Sequence, residues 1–111
     1  MLRAGVRITA IAAGRALLEP GHEVTPAEPD ALIEEIVGRA QALGAETLYY
    51  DLGEVEIIDA VYLAYLNRLA RACRTAGIRL VGIHLQPSTA YALAGLLTEP
   101  PAFETERTVP L

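Results

Sequence analysis

Four carboxylates, Asp51, Glu54, Glu56 and Asp59, fall within the nine residues "DLGEVEIID". Acidic groups at that density are the raw material of a Mg²⁺ site like that of a phosphate-receiving α/β domain, because hard divalent cations take oxygen ligands. Such a receiver draws its acids from separate strand ends and adds a Lys. This chain has no Lys, since all nine basic residues are Arg. Solvated loop charges are the better reading, and neither a metal nor a cofactor is expected. A hydrolase would have to build its triad on Ser88, the only serine, with His22 or His84, yet no G-x-S-x-G turn surrounds Ser88. Ser88 and Thr89, just after Pro87, suit hydroxyls that satisfy a first helical turn. His84, closing an apolar run, reads as a satisfied core or rim residue. Gly-rich phosphate loops of the G-x-x-x-x-G-K kind are missing as well. These residues carry no constellation for catalysis, and binding is the chemistry left to them.

Asp59 has a different setting from the other three acids. In "VEIIDAVYLAYL" it is a single carboxylate between apolar residues, at the junction of a strand ending near Leu52 and a helix beginning near Ala60. A carboxylate there accepts hydrogen bonds from free backbone N–H groups and meets the positive end of the helix dipole. Capping alone does not account for Val55, Ile57, Ile58, Val61 and Tyr62, which make this turn more apolar than a surface turn requires.

The elements that position Asp59 follow from periodicity. "VRITAIAAGRALLEPG" alternates and breaks at Gly14 and at Pro20-Gly21, as two strands and a tight turn would. "TPAEPDALIEEIVGRAQALG" predicts an amphipathic helix with Ala31, Leu32, Ile36, Ala40 and Leu43 near one face and Gly44 after its end. "ETLYYDL" predicts a strand. Leu63, Leu66, Leu69, Ala70 and Cys73 predict a helix over 60–76, and "IRLVGIHL" a buried strand. Pro87 suits the first turn of the helix "PSTAYALAGLL". "TERTVPL" adds a short edge strand, because Pro110 would be out of place in a central one. The expected architecture is α/β: a mixed sheet of four to five strands with helices packed on it and right-handed crossovers, in one domain over residues 1–111.

Composition narrows the function classes. A formal charge of −5 with 52% hydrophobic residues argues for a real core and against nucleic-acid binding. The lone Cys73 makes no internal disulfide and reads as a buried, inert thiol. No apolar run reaches the roughly 18 residues that span a bilayer, so a bacterial-type cytoplasmic protein is the expectation.

"LYYDLGEVEIIDAVYLAYLNRLARACRTAGIRLVGIHLQPSTAYAL" resembles the central half of a STAS domain, the fold of sulfate-transporter tails and anti-sigma factor antagonists. The shared pattern is a strand ending in Asp-Leu, a short loop, an Asp before a long helix, a Gly, a strand and a Pro-started helix. Residues 48–97 carry it. Within the family the sequence is most similar to the antagonist subunit of bacterial stressosomes, in which the hydroxyl after the Asp is phosphorylated by a partner kinase. Here that position is Ala60, which has no oxygen to phosphorylate. The resemblance implies a non-catalytic regulatory module that behaves as though permanently unphosphorylated. It implies protein partners: an anti-sigma factor, a switch kinase or other STAS subunits, with homo-oligomers open. The expected recognition surface is Glu56, Ile58, Asp59, Ala60, Val61 and Tyr62. Alternatives are an accessory STAS subunit of a lipid or small-molecule transport system and a structural, self-assembling subunit.

Two further features bear on partners. Arg68, Arg71 and Arg74 recur every three residues, with Arg79 beyond. They form a solvated face that complements the helix dipole or a docking strip for an acidic partner. Of Tyr49, Tyr50, Tyr62, Tyr65 and Tyr91, some are expected in the core and the others at interfaces.

Overall fold

A computed structural model describes residues 6–21, 24, 27–55, 58–97 and 100–110. The elements run β1 (Val6–Ala12), β2 (Arg15–Pro20), α1 (Asp30–Ala42), β3 (Thr47–Asp51), α2 (Ala60–Thr75), β4 (Arg79–Ile83), α3 (Pro87–Leu96) and β5 (Glu104–Thr105). They build one five-stranded sheet in the order β1-β2-β3-β4-β5. β1 runs antiparallel to β2 through a turn in which Gly14 takes φ +73°, while β2, β3, β4 and β5 are parallel neighbours. The mixed α/β sheet expected from the sequence is therefore present, with five strands.

Strand side chains alternate between faces, so register decides which residues share a core. Ala16, Leu48 and Leu80 pair across β2, β3 and β4, as do Leu18, Tyr50 and Gly82. These residues face the helices. They join Val6 and Ile8 of β1, Leu32, Ile33, Ile36 and Ala40 of α1, Leu63, Leu66, Leu69, Ala70 and Cys73 of α2, and Leu93 of α3 in a single core. The intervening residues Leu17, Tyr49 and Val81 also pair in a row, but on the opposite face. With Ile83 and Val109 they form a separate cluster to which no helix contributes. Gly82 has a packing reason: a Cβ there would lie 2.9 Å from Leu52 Cδ1. The strand tolerates this gap because Leu52, 1% exposed, fills it from the helix side.

Several expectations need adjusting. α1 buries Leu32, Ile33, Ile36 and Ala40, whereas Ala31 and Leu43 are exposed. The helix turns its contact stripe towards Ile33 because it is wedged between β1 and α2 rather than lying on one flat surface. The tail strand is shorter and starts one residue earlier than "TERTVPL", since only Glu104 and Thr105 pair with β4. α3 begins at Pro87, but no side chain caps it; Ser88 is exposed and Thr89 buried. At the free edge of the sheet β1 carries an irregularity at Ile11, between the pairs Ala10↔Ala16 and Ala12↔Arg15, a break that blunts an edge against further pairing.

Candidate functional site

The loop from β3 brings the chain to Asp59, which has extended backbone geometry and accepts a 2.9 Å hydrogen bond on Oδ1 from the Tyr62 backbone N–H. Asp59 is thus the N-cap of α2, as its position in the sequence suggested. The carboxylate stays exposed, next to the exposed Ala60 and a Val61 that is 48% exposed. Ile58 (4%) and Tyr62 (9%) are turned into the core, so their side chains hold the expected recognition surface from below instead of forming it. Glu56 lies outside the described residues.

Tyr62 fastens the first turn of α2 twice. Its backbone reaches Asp59, and its hydroxyl lies 2.6 Å from that of Tyr50 on β3. Tyr50 in turn lies 3.1 Å from the Tyr65 hydroxyl, and the rings of Tyr50 and Tyr62 each meet Tyr65 edge to face. Three buried phenols satisfy one another under the helix entrance, which fixes the exposed cap and its apolar neighbour against the sheet. Burial pushes all three hydroxyls above the ordinary tyrosine value, because a phenolate there would lose its hydration. Burial likewise pushes the Cys73 thiol up to about 11, an unreactive setting. The sequence placed aromatic residues here without showing that their hydroxyls converge.

Beside the cap, Ala60, Val61, Ala64, Tyr65 and Arg68 of α2 and Ala27 and Pro29 before α1 line an open groove of about 310 Å³. It is shallow and mostly apolar, with small side chains that admit close approach. The arginines expected as a docking strip are largely engaged within the chain. Arg68 pairs with Asp30, Arg74 donates to the Ala102 carbonyl at 3.2 Å, and Arg79 forms a fork with Glu104 at 2.6 and 2.9 Å. That fork lowers the Glu104 carboxyl and raises the Arg79 guanidinium. These contacts within the chain occupy most of the arginines of the expected strip, with Arg68 also lining the groove.

A second polar group sits past the ends of β3 and β4. Asp51 Oδ1 accepts from the Gly53 N–H at 2.8 Å and meets His84 Nδ1 at 3.1 Å; His84 Nε2 lies 3.3 Å from Thr108 Oγ1. A carboxylate only accepts, so Nδ1 donates to it, and the other ring nitrogen is in reach of the Thr108 hydroxyl. His84 has φ +59°, a left-handed conformation uncommon outside glycine, and its backbone N–H donates to the Arg107 carbonyl at 3.1 Å. Carboxylate, imidazole and hydroxyl stand in the order of a nucleophile-activating row. Both His84 bonds to residues 107–108 tie down the same segment. The row is a tether. His84 is satisfied, as expected of a rim residue, but its partner Thr108 carries no signal in the sequence.

No family model matches the chain, and no curated protein matches it. Solved structures do. The protein TM1081, determined by NMR, superposes with a TM-score of 0.74 at 13% identity, covering 98% of this chain and 84% of that one. A serine-to-glutamate variant of RsbS from Moorella thermoacetica gives 0.70 at 16% identity, with 94% and 87% covered. A chain of the stressosome, described as a signal integration and transduction hub, gives 0.75 at 14% identity, with 93% and 89% covered. At these identities the likeness is one of fold, and it agrees with the STAS-like α/β fold expected from the sequence. No described helix is long and apolar enough to cross a membrane.

Proposed function

We propose that this chain is a non-catalytic, protein-binding regulatory module whose recognition surface is the entrance of α2. It recognises its partner through Asp59, Ala60 and Val61 together with the groove along Ala64 and Arg68. The observation that carries the reading is the pairing of an exposed capping carboxylate with an exposed Ala60 and Val61, on a turn that three buried tyrosines hold rigid. Its fold neighbours in the stressosome and RsbS support a regulatory context. A charge beside apolar area gives a partner both orientation and buried surface. Ala60 at the first helical position offers no hydroxyl, so the surface stays in one covalent state and is regulated, if at all, by partner supply.

The test pairs the chain with a purified Ser/Thr switch kinase. Titration calorimetry is expected to show binding that Asp59→Asn weakens about tenfold, roughly 1.4 kcal/mol, while leaving the melting curve unchanged, because Asn caps a helix about as well as Asp. After incubation with that kinase and ATP, peptide mapping is expected to find no phosphate on residues 55–66. Phosphate there, or unchanged affinity of the Asn variant, overturns the reading.

A further inference from the structure

The face of the sheet away from the helices is closed by the chain's own segment 106–110. After the two-residue β5, Glu106 N–H donates to the Gly82 carbonyl at 2.9 Å. The segment then runs from the end of β4 to the start of β2. His84 holds the Arg107 carbonyl and the Thr108 hydroxyl, Val109 packs on the cluster of Tyr49, Val81 and Ile83, and Arg15 Nη1 donates to the Pro110 carbonyl at 2.6 Å. We propose that this face is a binding site for an extended Thr-Val-Pro segment, filled here in cis by residues 107–110 and filled in a pair of molecules by the same segment of a second copy.

Three observations carry this. The contacts are those by which sheets hold extended peptides: two main-chain carbonyls taken by fixed donors, and one alternate side chain seated in an apolar row. Every tether joins the segment to residues distant in sequence, 24 positions for His84–Thr108 and 95 for Arg15–Pro110, so the same bonds form equally well between molecules. The attachment is also light, with two strand pairs, exposed polar tethers and one half-buried valine. Segments held this way open at low free energy. Opening would bare Tyr49, Val81 and Ile83, at present 5%, 1% and 0% exposed, as a contiguous apolar row. Such a row needs cover, and among the described residues this segment supplies it.

A fluorescent peptide of residues 104–111 tests the site by anisotropy. Val109→Asp in the full chain, shown by circular dichroism and a cooperative melt to be folded, empties the site in cis. It is expected to bind the peptide saturably and about tenfold or more tighter than the unaltered chain, whose own segment competes. Arg15→Ala on that background weakens binding, and a peptide carrying the same valine-to-aspartate change does not bind. Val109→Gly, which removes the plug without adding a charge, is the second variant. Light scattering of the unaltered chain refolded at high concentration is expected to show a dimer that Val109→Asp lacks. No saturable binding by a folded variant up to about 1 mM peptide, a strictly monomeric refolded chain, or failure of both variants to fold overturns the proposal.

Discussion

The two faces of the sheet are closed by different means. On one, three helices bury a continuous core of strand and helix residues around Tyr50, Leu66 and Leu69. On the other, a single valine at the end of a tethered segment completes a cluster with Tyr49, Val81, Ile83 and Leu17. Apolar contact area and the number of neighbours that must move together separate the two, so the helix face should govern global stability and the segment face should respond locally. The proposed recognition surface at the entrance of α2 belongs to the first, rigid region. The row Asp51, His84 and Thr108 belongs to the second.

The largest test of this contrast is a pair of truncations. Leu69→Ala, at a site with 0% exposure, is expected to cost about 2–5 kcal/mol through lost burial and the cavity left behind. Val109→Ala should cost about 1 kcal/mol or less, in proportion to the smaller area removed. Chemical denaturation measures both, and comparable losses would erase the distinction between the faces.

Alkaline titration comes next, because the groups that burial shifts upward lie on the helix face. Cys73 is pushed from 9.0 to about 11, and Tyr50, Tyr62 and Tyr65 are raised by burial. Each is an acid whose proton is held more tightly when folded. Its contribution is fully present below the unfolded value and is lost as pH rises from there through the folded value. Stability should therefore be flat up to pH about 9 and then fall, with the thiol alone accounting for on the order of 2–3 kcal/mol by pH 11. Cys73→Ala should flatten the first part of that decline. A parent and variant with identical pH profiles would show that the thiol does not titrate against folding.

The smallest effect concerns the cap. Asp59→Ala should cost roughly 0.5–2 kcal/mol, and Asp59→Asn a few tenths at most, since either oxygen-bearing side chain satisfies the Tyr62 N–H. Equal melting temperatures for all three chains would mean that the tyrosine hydroxyls, and not the cap, hold the first turn of α2.

The helix face was the legible one. Leu63, Leu66, Leu69, Ala70 and Cys73 recur at the helical period, and all five are buried on α2 as that spacing requires. Asp59 was legible as a cap because capping needs only a short polar side chain before an apolar helix. Ile33 was missed on α1, since the stripe a helix buries depends on which neighbours flank it, and that is not a local property. Ile58 and Tyr62 look like surface candidates in a list of apolar residues around an acid, and only the three-dimensional path of the turn sends them inward. That residue 60 at the α2 entrance carries no hydroxyl was readable from the sequence alone, with no structure at all.

The sequence by itself determined the element types, their order and the cap of α2, because period, turn residues and capping act within a few positions of the chain. Only the tertiary structure decided that Tyr50, Tyr62 and Tyr65 share hydroxyl bonds, that His84 faces Asp51 and Thr108, and that Val109 closes the second face. Those contacts join residues from 12 to 33 positions apart in the hydrogen bonds, and the cluster brings Val109 together with Tyr49, farther apart still. Their formation depends on strand register and on where the chain returns after α3, which no local pattern encodes.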